Sequence, residues 1–396
     1  MQTLGIALTV LVLMGVLAWP RLAKAPLWKA TITPLASIIG SGFLVLGPIL
    51  AQAYGGWTPV MMAGLCLFAY AIGGAIRFNI LALDHAPHTG RTQVLESLSS
   101  WVLSFAYIIS VAYYLNLLGS FAVSLTPFDT VTWARIVTTA VFMVILTVGW
   151  TKGFAALERM EQVSVALKLA IIGGLLFGLA WFFAGKVQEN ALVLSPARLT
   201  GWGSVGLLLG LLVTVQGFET SRYLGHDYSA ATRVRSMRLA QWLSTGIYMI
   251  YVVLMAYVFL PEQIQTSETA IIDMMALVAP VLPALLVLAA LAAQFSAAVA
   301  DTSGAGGLIE ELTKGRISVK TGYAVLVGLG LALTWFSDIF QIIAWASKAF
   351  AAYYSLQALI AAGLALRDKK SLWRVAFFGL VAVLAGCAVI FGSVVE

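Results

Sequence analysis

The six residues Ile38–Phe43, with the sequence Ile-Ile-Gly-Ser-Gly-Phe, lie in the middle of an apolar stretch that runs from about Thr31 to Ala51. A stretch of about twenty apolar residues can cross the hydrocarbon core of a bilayer. Two glycines around a serine favour a break in the helix at that depth. Backbone groups freed by a break are tolerated in hydrocarbon only where they line a cavity, and there they can bind a solute or ion. The alternative is close helix packing at small residues.

The composition indicates an integral membrane protein. Of the 396 residues, 61% are hydrophobic and 10% are charged, and the mean hydropathy is +0.96, whereas an ordinary soluble domain has about 25% charged residues. The two cysteines, Cys66 and Cys387, lie in apolar runs and predict no disulfide framework. The apolar runs predict an all-α protein of about twelve transmembrane helices. We place them near 3–20, 31–52, 57–78, 97–124, 133–150, 163–184, 202–222, 238–260, 274–300, 321–336, 338–366 and 373–394.

The lysines and arginines predict the orientation of these spans. If the loop from Arg21 to Lys29 is cytoplasmic, eighteen of the 23 basic residues fall on that side of the membrane. An excess of basic residues in cytoplasmic loops is the usual pattern. The net charge of +6 therefore reflects membrane topology rather than binding of nucleic acid. We expect a multi-pass protein of a bacterial inner (cytoplasmic) membrane with both termini outside the cytoplasm.

A second polar cluster, Thr214–Thr220, lies in the seventh predicted span and contains Gly217 and Glu219. A charge at the centre of a membrane helix costs about 2.5–3.5 kcal/mol on the insertion scale unless it faces a cavity or is protonated. The cluster therefore predicts a second broken helix. The alternative is that Glu219 lies near the cytoplasmic interface and pairs with Arg222, three residues later on the same helix face.

The two predicted breaks are five spans apart, and an odd offset reverses the direction of a helix in the membrane. Residues 30–185 and 200–366 then form two five-helix units of inverted topology, an arrangement in which a substrate binds between paired broken helices. Residues 1–29 would add one N-terminal helix and a cytoplasmic loop. Residues 367–396 would add one C-terminal helix.

The order and spacing of these motifs resemble the amino acid–polyamine–organocation (APC) superfamily, which has the LeuT fold. The resemblance rests on Gly40-Ser41-Gly42, on Gly217-Phe218-Glu219, on the basic segment from His226 to Arg238, and on Lys168 in the fifth core helix. It covers roughly residues 30–366 and implies a LeuT-like 5+5 inverted repeat with one extra helix at each end. Val213 departs from the pattern, because many amino acid exchangers carry a bulky aromatic gate there.

The resemblance implies a substrate site between the two breaks. Backbone N–H groups around Ser41 would bind a carboxylate, and freed carbonyls near Val215 would accept hydrogen bonds from an amino group. The first break has no acidic residue, so a zwitterionic or anionic solute fits better than a cation. Phe218 and Trp345 are among the candidate occluding aromatics. The predicted substrate-binding residues are Ile38, Ile39, Gly40, Ser41, Gly42, Phe43, Val213, Val215, Gln216, Gly217, Phe218, Tyr113 and Tyr114.

Coupling is predicted to depend on Lys168, Glu219 and the run Asp301, Thr302 and Ser303. Lys168 falls where some sodium-independent relatives place an ammonium instead of sodium; its alternative is snorkelling to the cytoplasmic interface. Asp301 could instead pair with Lys168 or carry a proton. Lys348, also in an apolar span, is left without a role, with Asp338 or Asp301 as candidate partners. An alternative sodium site would use Ala36, Ile39, Asp301, Thr302 and Ser303.

Three functions remain open at this point. The first is a secondary transporter of an amino acid or similar small solute that is proton-coupled or exchanging, and the second is a sodium symporter. The third is a membrane-embedded sensor or enzyme on the same fold. Signals for an enzyme are weak, because Asp84, His85 and His88 lie in a loop without further spaced metal ligands. We therefore expect no catalytic residues, no metal and no cofactor beyond Na⁺ or H⁺ as coupling ion. The expected partners are a small-molecule substrate and the lipid bilayer, without nucleic acid, and the sequence leaves the oligomeric state open.

Overall fold

The computed structural model describes residues 1–40, 42–83, 90–151, 155–225, 227–265 and 267–393. Within these ranges the chain is mostly helical and has no strand, and short 3-10 helices lie at Gly55–Trp57, Leu212–Val215, Phe218–Tyr223 and Pro261–Gln263. The α-helices are α1 (Gln2–Ala18), α2 (Pro20–Ala23), α3 (Pro26–Ile38), α4 (Gly42–Tyr54), α5 (Thr58–Leu83), α6 (Arg91–Val123), α7 (Val131–Thr151), α8 (Ala155–Gln188), α9 (Gly201–Gly210), α10 (Ala230–Ala256), α11 (Ala270–Val278), α12 (Leu282–Leu312), α13 (Val319–Phe336), α14 (Ile339–Arg367) and α15 (Leu372–Phe391).

Nine helical segments in the described ranges are long and apolar enough to cross a membrane, by length and composition. Twelve spans were predicted, and three of them are not among these nine segments. Helix α1 has the predicted position but only 17 residues, and the spans 31–52 and 202–222 are interrupted helices. The prediction of a multi-pass, all-α membrane protein is confirmed.

The first predicted break is confirmed. Helix α3 ends at Ile38, and Ile39 leaves the helical region with φ −86° and ψ 50°. Helix α4 begins at Gly42. The predicted site residue Ser41 lies outside the described residues. The C-terminal carbonyls of α3 and the N-terminal N–H groups of α4 thus meet in the middle of one span, where neither helix supplies partners for them.

The second predicted break is also confirmed. Helix α9 ends at Gly210, and a 3-10 helix covers Leu212–Val215. Gln216 is extended, Gly217 has φ +113°, and a second 3-10 helix follows from Phe218 to Tyr223. A residue with a side chain rarely adopts a φ of this sign, so glycine at position 217 permits the turn.

The predicted span 274–300 is wrong as a single helix. The structure divides this region into α11 and the 31-residue α12, with Ala279 extended at φ −158° and ψ 137°. Ala279 precedes Pro280, and the ring of a proline disfavours the helical region for the residue before it. Pro280 and Pro283 also lack the N–H that a continuous helix would need.

The long helix α6 packs against both α12 and α14 and lies at the centre of the bundle. Helix α10 packs on α3 and α5, and this contact holds the first break against the bundle. The terminal helices lie at the periphery, with α1 on α8 and α15 on α14. The division into two inverted repeats, with boundaries at 30–185 and 200–366, stays a prediction.

Candidate functional site

The two helix breaks touch each other through their backbones. A Cβ atom on Gly42 would lie 2.6 Å from Cα of Thr214, and a Cβ atom on Gly217 would lie 2.5 Å from Cβ of Ser37. Each break therefore contains a glycine at its point of contact with the other break. Because any side chain would meet backbone or Cβ atoms at these points, the close approach requires glycine at both positions.

The hydroxyl of Tyr248 on α10 connects the two breaks. Its Oη donates toward the carbonyl oxygens of Ile38, at 3.0 Å, and of Thr214, at 2.6 Å. Tyr248 is 1% exposed, so this hydroxyl is placed to satisfy carbonyls that the broken helices leave without intrahelical donors. The ring of Phe43, at the start of α4, packs against the ring of Tyr248.

Glu219 is fully buried beside the second break. Its Oε2 accepts hydrogen bonds from the backbone N–H of Gly217, at 2.9 Å, and from the hydroxyl of Tyr354 on α14, at 2.8 Å. Its Oε1 has no hydrogen-bond partner among the described residues. The carboxyl group thus closes the turn at Gly217 on one side and has an unused oxygen on the other.

The alternative pairing of Glu219 with Arg222 is wrong. The guanidinium of Arg222 forms an ion pair with Glu96 on α6 and a hydrogen bond with the amide oxygen of Gln357 on α14. Helix spacing does not prevent the pairing, since residues three apart eclipse in a 3-10 helix; the two side chains instead contact different partners, Glu219 contacting Tyr354 and Arg222 contacting Glu96. Asn79 on α5 donates to the same amide oxygen of Gln357 at 2.9 Å, so this polar cluster joins the second break to three helices.

Three further hydrogen bonds hold the second break in place. The side-chain amide of Gln216 donates to the hydroxyl of Tyr114 on α6 at 2.9 Å. The backbone N–H of Val213 donates to the hydroxyl of Ser347 on α14 at 3.0 Å, and Ser347 donates to the carbonyl of Gly210 at 2.6 Å. Ser347 therefore bridges the end of α9 and the following 3-10 helix.

Lys168 reaches the first break. It is 1% exposed, and its Nζ donates to the carbonyl oxygen of Ala36 at 2.6 Å. The alternative of snorkelling to the cytoplasmic interface is wrong, because the ammonium is buried against α3. Lys168 also lines a cavity of about 10 Å³ with Ile39, Gly40 and Gln294, which is about the space of one water molecule. Neither atom of the Gln294 side-chain amide has a hydrogen-bond partner among the described residues.

Asp301, Thr302 and Ser303 on α12 face different neighbours. Asp301 accepts a hydrogen bond from the hydroxyl of Ser110 on α6, and Thr302 donates to the carbonyl of Ala298 at 2.6 Å. Ser303 is half-buried. The alternative sodium site would need the carbonyl of Ala36, which the ammonium of Lys168 already contacts.

A cavity of about 610 Å³ leads to Asp301 and Ser303. Its walls come from α3, α6, α12 and the segment after the second break, and they include Lys29, Thr220 and Glu311. Lys29 and Glu311 lie toward the end of the molecule that the basic residues predict to be cytoplasmic. This cavity, which we call the vestibule, therefore connects that end with the polar groups beside the breaks.

The candidate occluding aromatics separate into two groups. Phe43, Tyr113 and Tyr114 are at most 2% exposed, as is Phe218, whose ring stacks on Tyr354 at 5.3 Å between centroids. Trp345 is 41% exposed and lines an apolar groove on the outside of the bundle, so it is not an occluding aromatic beside the breaks. Lys348 lines the same groove, and its suggested partners are engaged elsewhere: Asp338 caps α14, and Asp301 contacts Ser110.

Several residues beside the breaks were missed by reasoning from sequence: Ser110, Tyr248, Gln294, Ser347 and Tyr354. A signal existed for three of them, Gln294, Ser347 and Tyr354. Gln294 and Asp301 are seven residues apart on α12, as are Ser347 and Tyr354 on α14, and residues seven apart lie on one face of a helix two turns apart. For Tyr248 there was none, because a tyrosine in an apolar span is ordinarily a packing residue. Asp84, His85, His88 and His226 lie outside the described residues.

The fold and the site together define a multi-pass helical membrane protein built around two broken helices that meet in its interior, an arrangement typical of secondary transporters. Comparison with known sequences agrees. The family described as "APC superfamily transporter" matches residues 20–392 of the chain, and the protein belongs to this family. A protein of Aquifex aeolicus (strain VF5), described as an uncharacterized protein, is 42% identical over 393 residues, which cover 95% of this chain and 93% of the relative.

Proposed function

We propose that this transporter carries an amino acid or a related small zwitterionic or anionic solute by alternating access, with proton coupling or exchange. The observation that carries the proposal is the backbone contact between the two breaks, at Gly42 with Thr214 and at Gly217 with Ser37. A LeuT-like inverted repeat would produce this meeting of two oppositely directed broken helices. The solute would bind in the inward-facing state through the vestibule and then be enclosed by the aromatic residues around the breaks.

The chemistry of the breaks supports a solute with a carboxylate. The N-terminus of α4 directs its first N–H groups and its positive dipole end toward the first break. The unused Oε1 of Glu219 and the carbonyl oxygens near Gln216 offer acceptors for an amino group on the opposite side. A zwitterion would bind the N–H groups of α4 through its carboxylate and the acceptor oxygens through its amino group. A cation without a carboxylate would leave the N-terminus of α4 without a partner.

The contacts of Lys168 support coupling without sodium. Its ammonium is within 2.6 Å of the carbonyl oxygen of Ala36, one of the oxygens that the alternative sodium site would use. Like charges a few ångströms apart repel by several kcal/mol at an effective dielectric constant of about 20. Lysine and sodium are therefore alternatives, and Glu219 and Asp301 are the carboxyl groups available for proton transfer.

Uptake into proteoliposomes tests this proposal. We would reconstitute the full chain, add a mixture of radiolabelled amino acids, and impose a proton gradient, a sodium gradient or neither, with internal amino acids to detect exchange. We expect accumulation that does not depend on sodium and is lost in Lys168→Ala. Lys186→Ala is the matched control, because Lys186 is a half-buried lysine near the end of the same helix whose contacts are with Glu189, at 4.0 Å, and the ring of Phe182.

Other outcomes would contradict the proposal in distinct ways. If uptake depended strictly on sodium, Lys168 would not act in place of the ion, and the sodium site at Asp301, Thr302 and Ser303 would be favoured. Stabilisation by an amino acid without flux would favour a sensor on the same fold. We also propose a bacterial inner membrane with both termini outside the cytoplasm, which labelling of cysteines introduced at the two ends with an impermeant reagent would test.

A further inference from the structure

A lateral groove of about 1000 Å³ opens between α6, α13, α14 and α15. Its walls are almost wholly apolar, and several of its side chains are strongly exposed: Trp101 is 45%, Phe105 55% and Phe336 88% exposed. In a membrane-spanning bundle such exposed apolar surface faces lipid tails. The groove is separate from the vestibule and from the two breaks, and the proposed transport site does not use it.

One charged side chain, Lys348, lines this groove. Lys348 lies nine residues after the start of α14, or about 13 Å along the axis at about 1.5 Å per residue. Within the ranges that the structure describes, its ammonium has neither a hydrogen bond nor an ion pair with another side chain. An ammonium at that depth is costly in hydrocarbon unless it reaches the interface or meets an anion.

A second cation lies at one end of the groove. Ser337, at the connection between α13 and α14, lines the groove. The guanidinium of Arg135 on α7 donates to the carbonyl of Ser337 at 3.0 Å and lies 6.0 Å from the ring centroid of Trp335. The distribution of basic residues predicts this end to be non-cytoplasmic. The groove thus has an apolar body, with Arg135 beside one end and Lys348 about 13 Å along α14 from that end.

We propose that the groove binds one anionic glycerophospholipid of the outer leaflet, with an acyl chain along the apolar walls and the phosphate near Lys348 and Arg135. Charge complementarity selects this occupant. Basic side chains near a membrane surface attract anionic lipids, and the long stem of lysine lets its ammonium extend from an apolar wall toward the headgroup level. A zwitterionic lipid carries its own cation beside the phosphate and would match the two basic residues less well.

Native mass spectrometry and thermal unfolding of the purified full chain test this proposal, with phosphatidylglycerol and phosphatidylcholine of the same acyl chains as probes. We expect one phosphatidylglycerol to be retained and to raise the unfolding temperature, while phosphatidylcholine has a smaller effect. Lys348→Met keeps the unbranched stem without the charge and should weaken phosphatidylglycerol binding by about five- to tenfold. Lys320→Met, at the exposed opposite end of α13, is the control and should bind as the parent protein does.

A second variant tests the body of the groove and not its charge. Ala352 lines the groove, so Ala352→Phe should fill it and reduce binding while Lys348 is intact. Equal stabilisation by both lipids, or unchanged binding in Lys348→Met and Ala352→Phe, would overturn the proposal. Stabilisation by oleate but not by phosphatidylglycerol would assign the groove to a free fatty acid. A dimer that Ala352→Phe dissociates would assign it to a second copy of the chain.

Discussion

Replacing Gly42 with alanine should separate the two helix breaks. The new Cβ would lie 2.6 Å from Cα of Thr214 and 2.9 Å from its carbonyl oxygen. Carbon atoms in contact are normally about 3.5–4.0 Å apart, so the backbones must move apart by roughly 1 Å. No side-chain rotation can relieve the contact, because the clashing atoms belong to the backbone. Overpacking of this kind costs about 1–3 kcal/mol.

The displacement should affect function as well as stability. Tyr248 spans the two breaks through the carbonyls of Ile38 and Thr214, at 3.0 Å and 2.6 Å, and it cannot keep both contacts if they separate. If the full cost falls on the substrate-binding state, affinity should fall by about 5- to 150-fold. Uptake into proteoliposomes and thermal unfolding in detergent would measure the two effects.

Gly246→Ala is the matched control for this experiment. Gly246 lies within α10, and a Cβ there would meet no atom within 4 Å. Alanine in the interior of a helix is favoured over glycine by about 1 kcal/mol, so this variant should be as stable as the parent or more stable, with normal uptake. If Gly42→Ala behaved like Gly246→Ala in both assays, the contact between the breaks would not set the geometry of the site.

Three further changes test single contacts at the site. Tyr248→Phe leaves two buried carbonyls without their donor and should lower the unfolding free energy by about 1–3 kcal/mol. Tyr251→Phe is its control, since the hydroxyl of Tyr251 has no hydrogen-bond partner among the described residues. Equal stability of the two variants would contradict the bridging role of Tyr248. Glu219→Gln imitates a protonated carboxyl and should flatten the pH dependence of uptake, whereas a parent-like pH profile would remove Glu219 from proton coupling. Gln294→Leu replaces an amide with no partner in the described ranges, so the unfolding temperature should be unchanged or higher; a marked loss of stability would show that the amide is satisfied by bound water.

Local features of the sequence predicted the breaks. Gly40 and Gly42 interrupt an apolar span, and a helix break at such a point depends on the residues themselves. The burial of Lys168 was predicted in outline, because a lone lysine in an apolar span must find a polar partner. Its partner, a backbone carbonyl of α3, could not be read from side-chain types, since every residue carries a carbonyl.

Features that depend on distant parts of the chain were harder to predict. The pairing of Glu219 with Arg222 was wrong because each side chain has a partner on a helix distant in sequence, Tyr354 on α14 for Glu219 and Glu96 on α6 for Arg222. Trp345 was a candidate occluding aromatic but faces the outside of the bundle, and residue type alone does not separate these positions, because tryptophan is also common where a helix meets the membrane interface. The turn before Pro280 had a local signal, but the apolar character of the flanking residues dominated the prediction.

The reciprocal contact of Gly42 with Thr214 and of Gly217 with Ser37 has a consequence for how substrate preference could change within this family. The two breaks are in contact through backbone and Cβ atoms, so even the smallest side chain at either glycine forces the backbones apart. Substitution at these positions therefore cannot adjust the space between the breaks in small steps. Room for a longer or shorter solute must instead come from the side chains that surround the breaks, such as Tyr114 on α6, Tyr248 on α10 and Tyr354 on α14. We expect relatives that select different solutes to keep the two glycines and to differ at these tyrosines.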